Sequence, residues 1–149
     1  MKEALIMIAM SALATLGFSI VFYVHPRRLP LATLSGVLTC GIYLLTRHFL
    51  GGEFIPNLIA AAVGAGYSEL CARLTRVPVP VYMLPAIIPL VPGSRLYDTM
   101  FRLVAGEYEA AAASGLATLR IALGIAGGII AVSVVSLFIR PRKQTLRKR

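Results

Sequence analysis

The chain has 149 residues, the length of one domain, and 58% of them are hydrophobic, with a mean hydropathy of +0.81. Soluble domains are about 45–50% apolar, so this composition excludes an ordinary soluble fold and predicts an integral membrane protein. The net charge of +9 does not indicate nucleic-acid binding, because six basic residues lie in the tail of residues 140–149, directly after the last apolar segment. We interpret this tail as cytoplasmic and in contact with anionic lipid.

The first two apolar segments predict transmembrane helices over residues 4–24 and 29–46. The first carries no charge over about 31 Å of helix, which is enough to cross a hydrocarbon core of ~30 Å. In the second, Ser35, Thr39 and Tyr43 recur every four residues and therefore share one helix face. Their hydroxyls either line a polar surface or bond to their own backbone.

A third span is predicted over residues 54–72, with Asn57 near its start and Glu69 near its end. Alanine and glycine are frequent between them, which favours close approach of another helix. An acid inside an apolar segment is a candidate for a role in transport. Arg73 follows Glu69 by four residues, so an ion pair at the membrane surface is the alternative interpretation.

The fourth segment, residues 77–92, is almost free of polar side chains and yet contains five prolines: Pro78, Pro80, Pro85, Pro89 and Pro92. A proline inside a helix removes one hydrogen bond and costs about 3 kcal/mol. In lipid such a backbone persists only where neighbouring helices or a wet cavity satisfy its carbonyl groups. We therefore predict a short, Pro-broken fourth span of the kind in which transporters place their binding sites.

The turn Gly93-Ser94-Arg95 follows the broken segment. Ser94 is predicted to be the N-cap of a new helix, Gly93 tolerates unusual backbone angles, and Arg95 adds a positive charge to the first turn. Free N–H groups and the positive end of the helix dipole make such a start suitable for an anion such as a carboxylate. The alternative is a turn that only ends one helix and starts the next.

An amphipathic helix is predicted over residues 94–110, because its apolar residues recur at helical spacing opposite its charges. Asp98 is placed to pair with Arg95 or Arg102, so the charges form either a solvated face or part of a membrane-surface or re-entrant element.

The last predicted span covers residues 115–139, with Arg120 near its start, either at the interface or as a counter-ion for a solute. The fold class predicted is thus all-α integral membrane, with one transmembrane domain over residues 1–139. Five spans leave the amino terminus outside and the carboxyl terminus inside, and this orientation places most basic residues inside. A four-span arrangement would require the second or the fourth segment to be merged or removed.

The sequence has no pattern typical of catalysis. It lacks a Ser-His-acid order, paired carboxylates on one helix and a Gly-rich phosphate loop, and its two histidines and two cysteines do not have metal-ligand spacing. We predict a protein that is not an enzyme and that uses no metal or cofactor.

Two stretches resemble the threonine/serine exporter family. They are Gly17-Phe18 with Phe22 and Pro26, and the motif Pro85-Ala86-Ile87-Ile88-Pro89-Leu90-Val91-Pro92-Gly93 followed by Tyr97. The chain is most similar to the small subunit, which corresponds to the carboxyl-terminal half of the fused exporters. The resemblance implies a five-span half of a ten-span transporter in the bacterial inner membrane, with a larger partner subunit that supplies about five more spans and a cytoplasmic domain.

The implied solute is a small carboxylate-bearing metabolite, either threonine or serine or a dicarboxylate such as succinate. The candidate solute-binding residues are Pro85, Pro89, Pro92, Gly93, Ser94, Arg95 and Tyr97, together with Asn57 and Glu69. The rival hypothesis is an assembly subunit that transports nothing and stabilises a partner membrane protein. A higher homo-oligomer is compatible with both.

Overall fold

The structure is a computed structural model that describes residues 2–139, and that range contains helices and turns but no strand. The α-helices are α1 Lys2–Val21, α2 Leu29–Leu50, α3 Phe54–Thr75, α4 Pro80–Ile87, α5 Gly93–Val104 and α6 Tyr108–Ile139. Short 3-10 turns, Pro26–Arg28 and Ile88–Leu90, precede α2 and follow α4. Within residues 2–139, α1, α2, α3 and α6 are long and apolar enough to cross a membrane. The predicted all-α fold is confirmed, and the predicted basic tail of residues 140–149 lies outside the described residues.

Helix α1 buries its hydroxyl side chains and exposes its large apolar ones. Ser11, Thr15 and Ser19 are the buried residues, and their spacing of four places them on one face against α2. Ser11 Oγ donates to the carbonyl oxygen of Gly36 on α2 at 3.2 Å. Leu13, which is 65% exposed, represents the outward face. Small and hydroxyl residues between helices, with aliphatic residues outside, are typical of helices surrounded by lipid.

Helices α3 and α6 lie side by side in the same direction, with Phe54 opposite Gly124 and Leu58 opposite Gly128. A Cβ atom added to Gly124 would lie 2.6 Å from the carbonyl oxygen of Phe54, and one added to Gly128 would overlap the carbonyl oxygen of Leu58. The two backbones are therefore in direct contact, and only glycine fits at these two positions of α6.

Helix α4 is the central part of the predicted Pro-rich segment, and it packs against α2 and α3. Its residues Tyr82, Pro85 and Ala86 are buried. The α-helix continues through Pro85 to Ile87, changes to a 3-10 turn, and becomes extended at Val91 with ψ 125°. Ser35 Oγ of α2 shares its proton between the carbonyl oxygen of Ala32 on its own helix, at 2.6 Å, and the carbonyl oxygen of Tyr82 on α4, at 3.3 Å, so the backbones of the two helices are joined through this hydroxyl.

The bundle has two ends, which we name after α3. At the Glu53 end α2 stops and α3 starts, and at the Arg76 end α3 stops at a left-handed C-cap, Arg76. Pro80, the first residue of α4, lies beside Glu69 near the Arg76 end, whereas Pro89 lies near Asn57 at the Glu53 end. The Pro-rich segment therefore passes from one end of the bundle to the other.

Helices α5 and α6 form an antiparallel hairpin at the Glu53 end, and we refer to residues 93–120 as the hairpin. Ser114 Oγ of α6 donates to Asp98 Oδ2 of α5 at 2.8 Å, which fixes the pairing of the two helices. Since Gly124 lies opposite Phe54, residues 108–120 extend about 20 Å beyond the start of α3.

The hairpin differs from the sequence prediction at its tip. Helix α5 stops at Val104, short of the predicted 110, and α6 starts at Tyr108, ahead of the predicted 115. Gly106 has a φ of +80°, a conformation that glycine adopts without strain and that ends α5. The alanines of residues 110–113 are strong helix formers and extend α6 towards this turn.

Candidate functional site

A cavity of about 220 Å³ opens at the Glu53 end, where the Pro-rich segment ends and α5 begins. We call it the Arg95 cavity. It combines residues from α1, α2, α3 and α6 with the stretch that connects α4 to α5, so elements far apart in sequence form its wall. Its lining residues are Met7, Tyr43, Arg47, Glu53, Asn57, Pro89, Leu90, Val91, Pro92, Ser94, Arg95 and Ile121.

Positive charge exceeds negative charge in the Arg95 cavity. Arg95 Nη2 lies 2.6 Å from Glu53 Oε1, and the two side chains are 45% and 22% exposed. The second cation, Arg47, donates from Nη1 to the hydroxyl of Tyr43 at 2.5 Å and has no acidic partner among residues 2–139. The guanidinium of Arg95 already binds one carboxylate, that of Glu53. It is therefore placed to donate hydrogen bonds to a carboxylate from another molecule.

Asn57 forms the floor of the cavity and is almost fully buried. Its Nδ2 donates to the carbonyl oxygen of Glu53 at 2.6 Å. This bond ties the side chain to the residue that precedes α3, and it thereby fixes the loop that carries the partner of Arg95.

The first turn of α5 forms the mouth of the cavity. The N–H of Leu96 donates to the carbonyl oxygen of Pro92 at 2.9 Å, so Pro92 is the N-cap and Ser94 lies inside the helix. The prediction of Ser94 as the N-cap is wrong, because the intrahelical bonds begin two residues earlier. The N–H groups of Ser94 and Arg95 belong to the first turn, which has no intrahelical acceptors for its amides.

A second cavity of about 440 Å³ lies near the Arg76 end, between α4 and α6 and over α3. We call it the Glu69 cleft. Ser136 Oγ of α6 donates to Glu69 Oε1 at 2.9 Å, and Arg73 Nε lies 3.4 Å from Glu69 Oε2. The lining residues are Ala65, Glu69, Pro78, Val79, Pro80, Met83, Ser133, Ser136 and Leu137. The start of the Pro-rich segment therefore lines the Glu69 cleft, and its end lines the Arg95 cavity.

A family model described as Threonine/Serine exporter, ThrE, matches residues 7–135, which is most of the chain. The chain belongs to the threonine/serine exporter family. This membership and the apolar helices identify a multi-pass membrane protein with a transport function of the threonine/serine export type. The family is one of transporters and not of enzymes. A search of solved structures finds no match to the chain.

The exporter brings five of the nine predicted site residues into one cavity: Asn57, Pro89, Pro92, Ser94 and Arg95. Glu69 lies in the other cavity. Pro85 is buried inside the bundle, and Gly93 has no atom within 4 Å of an added Cβ. Tyr97 is 72% exposed and stacks on Phe101 on the outer face of α5. These three side chains lie outside both cavities.

Several lining residues were not predicted. Tyr43, Arg47 and Glu53 of the Arg95 cavity lie around the loop between α2 and α3, and Ser133 and Ser136 of the Glu69 cleft lie on α6. The only sequence signal for Glu53 is its charge between two predicted spans. Arg120 is exposed on α6 and lines neither cavity. Residues 2–139 hold no group of three or more His, Cys, Asp or Glu side chains placed to bind a metal.

Proposed function

We propose that this exporter chain is one half of a two-chain transporter and that the Arg95 cavity binds the carboxylate of a small metabolite. The candidate solutes are threonine and serine or a dicarboxylate such as succinate. The observation that carries the proposal is the convergence of Asn57, Pro89, Pro92, Ser94 and Arg95 on one cavity with excess positive charge.

The Glu53–Arg95 ion pair suggests how the site works. In the absence of solute, Glu53 holds Arg95 at 2.6 Å and neutralises it. A solute carboxylate replaces Glu53 on the guanidinium, with the N–H groups of the first turn of α5 as further donors. The released Glu53 carboxylate then faces water through the open side of the cavity. Glu53 thus competes with the solute for Arg95. This competition keeps the affinity for the solute moderate and favours release of the solute.

We propose five spans, with α4 and the following 3-10 turn as the fourth. This segment is about 18 Å long, shorter than the hydrocarbon core of ~30 Å, but it passes between the two ends of the bundle, and a cavity lies at each of its ends. Helix α6 ends on the same side as Arg76, and six basic residues follow it in the sequence, so the positive-inside rule supports our proposal that this side faces the cytoplasm of a bacterial inner membrane. The amino terminus is then outside.

The hairpin supports the proposal of a larger partner subunit. Helix α5 turns Asp98 and Arg102 towards α6 and exposes Tyr97, Met100 and Phe101. Helix α6 has 32 residues and is about 48 Å long. To lie entirely within a hydrocarbon core of ~30 Å, it would have to tilt by about 50° from the membrane normal, which is more than transmembrane helices usually tilt. We propose that the second subunit of the transporter covers this face, with apolar helices that extend as far beyond the bundle as the hairpin does.

Export assays test the proposal. Cells that express the chain with its partner are loaded with labelled threonine or labelled succinate, and Arg95→Ala is compared with Arg102→Ala. Arg102 is the matched control because it pairs with Asp98 on the same helix, outside the cavity. A charged hydrogen bond contributes about 1.5–3 kcal/mol, so Arg95→Ala should lower the apparent affinity about ten- to hundredfold while Arg102→Ala leaves it unchanged.

The same assay separates transport from assembly. An assembly subunit that transports nothing is the second candidate, favoured by the apolar face of the hairpin. It predicts that Arg95→Ala is silent, with normal amounts of both chains in the membrane. Unchanged export under those conditions would contradict the assignment of the Arg95 cavity.

A further inference from the structure

The Glu69 cleft lies at the opposite end of the Pro-rich segment from the Arg95 cavity and differs from it in chemistry. Its volume of about 440 Å³ is within the range of small-molecule sites, and its wall is mainly apolar. The polar side chains on that wall are the carboxylate of Glu69 and the hydroxyls of Ser133 and Ser136. The cleft is therefore suited to a small, partly polar ligand.

Glu69 has bonding capacity that the described chain does not use. Its side chain is 15% exposed, and Oε1 accepts a hydrogen bond from Ser136. No donor among residues 2–139 makes a hydrogen bond to the buried atom Oε2, although Arg73 Nε lies 3.4 Å away as an ion-pair partner. Arg73 is 42% exposed and its Nη2 also reaches the carbonyl oxygen of Ser136 at 3.5 Å. A buried carboxylate normally accepts several bonds, so Glu69 retains acceptor capacity beyond the bond from Ser136 and the ion pair with Arg73.

The backbone around the cleft adds acceptors but few donors. Pro78 and Pro80 form part of its wall and have no N–H group. The Arg95 cavity is the reverse, since two guanidinium groups, an amide side chain and the first turn of α5 offer donors there. One end of the Pro-rich segment is thus rich in acceptors and the other end is rich in donors.

We propose that the Glu69 cleft is a binding site for a primary ammonium group, with Glu69 as the counter-ion and Ser133 and Ser136 as hydrogen-bond partners. This inference rests on the proposed function, and it adds a second station for the same solute. Met83 of the cleft and Pro89 of the Arg95 cavity are about 10 Å apart along α4 and the 3-10 turn, which is more than a small amino acid spans, so the solute occupies the two cavities in turn and not together. The ammonium is held at the Arg76 end and the carboxylate at the Glu53 end.

Cysteine protection tests the cleft directly. Ser133→Cys is introduced into the full-length chain after the buried Cys40 and Cys71 are replaced by alanine. Membranes from cells that produce the chain with its partner are treated with a maleimide in the presence of threonine, ethanolamine or succinate. We expect threonine and ethanolamine, which carry the ammonium, to slow labelling at least about threefold, and succinate to leave it unchanged.

Glu69→Gln should raise the threonine concentration needed for half-protection about tenfold or more, because the amide has no charge to pair with ammonium. Glu69→Asp, which keeps the charge, should restore part of the protection. The matched control is Glu109→Gln, since Glu109 is exposed at the start of α6 and remote from the cleft. Equal protection by succinate, or unchanged protection in Glu69→Gln, would overturn the ammonium site.

The two proposals fail separately. If Arg95→Ala abolishes export but no ammonium compound protects Ser133→Cys, the cleft is not a station and the proposed function stands. If ammonium compounds protect Ser133→Cys but Arg95→Ala leaves export unchanged, the cleft stands and the Arg95 cavity is not the carboxylate site.

Discussion

The bundle and the hairpin differ in which residues join their helices and which residues face outward. In the bundle, hydroxyl residues and glycines lie between the helices and aliphatic residues lie outside, as for Ser11 and Leu13 on α1. In the hairpin, a partly exposed polar cluster joins the helices, because Ser114 of α6 donates to Asp98 and Asp98 pairs with Arg102, while the rings of Tyr97 and Phe101 are exposed. The bundle is suited to lipid on its outer surface, whereas the outer surface of the hairpin extends beyond the helices that lipid surrounds.

The bundle is held together by contacts within this chain, whereas we propose that another molecule covers the apolar face of the hairpin. Backbone contacts between α3 and α6 give the bundle its rigidity, and they involve residues of this chain only. The apolar face of the hairpin has no contact of this kind within residues 2–139. Substitutions in the bundle should therefore act on folding, and those on the face of the hairpin should act on assembly.

The largest expected effect is that of Gly128→Leu. The new side chain would meet the carbonyl oxygen of Leu58 and the backbone nitrogen of Ala62, neither of which is able to move away without displacing α3. Overpacking of this kind costs at least about 1–3 kcal/mol. We expect at least about a tenfold loss of folded protein, measured as the monodisperse fraction after extraction from the membrane.

Gly66→Leu is the matched control for this substitution, because no atom lies within 4 Å of a Cβ added at Gly66. It should leave the folded fraction of the chain close to that of the unmodified protein. If both variants behave alike, contact between α3 and α6 does not hold the bundle together.

A smaller effect on folding, but a clear effect on assembly, is expected for Phe101→Lys. Phe101 is 62% exposed and stacks only on Tyr97, so the chain itself should insert and fold normally. If the partner covers this face, as we propose, a lysine there places an unpaired charge in an apolar interface. Co-purification of the larger subunit should fall about tenfold or more, whereas Phe101→Tyr should preserve it.

Retained co-purification with Phe101→Lys would mean that the partner covers another surface. Capture of a second copy of the chain, in place of the larger subunit, would assign the face to a homo-oligomer.

The smallest effect is expected for Asp98. Hydrogen bonds from Ser114 and from Arg102 hold the pKa of Asp98 below its ordinary value. A carboxylate with a lowered pKa stabilises the folded hairpin at neutral pH, and this contribution is lost as the pH falls through the lowered pKa. The protection factors of the hairpin amides, which remove the intrinsic pH dependence of exchange, should fall by at most a few-fold at pH 3 relative to pH 7.

Asp98→Asn should remove this pH dependence and raise exchange at pH 7 to a similar small extent, because the ion pair with Arg102 is largely exposed. A pH response that persists in Asp98→Asn would have to come from another group.

The sequence predicted the helices better than it predicted their contacts. Charges and prolines bound each long apolar segment, so the starts of α2 and α3 match the predicted ranges. Helix α2 nevertheless continues past residue 46 to Leu50, because Arg47 and His48 are favourable in a last helical turn and Gly51 then ends it with a φ of +62°.

The five candidate residues that line the Arg95 cavity were selected because proline, serine, arginine and asparagine are unusual in an apolar chain. The pairs that give the site its geometry could not be found this way. Glu53 and Arg95 are 42 residues apart, and Glu69 and Ser136 are 67 apart. Periodicity shows which residues share a helix face but not which helix lies opposite, so the predicted pairing of Arg95 with Asp98 missed Glu53.

The shortness of α4 affects how the membrane potential acts on a solute. With water in both cavities, the voltage falls mainly across the partition of about 10 Å between Met83 and Pro89, and each elementary charge that crosses it gains or loses about 2.3 kcal/mol per 100 mV. A zwitterionic amino acid crosses without net charge and carries no current. If the solute is a dicarboxylate with two negative charges, it gains about 4.6 kcal/mol per 100 mV on leaving a negative interior, so its export would carry current and the voltage would drive it until an opposing concentration gradient balances this energy.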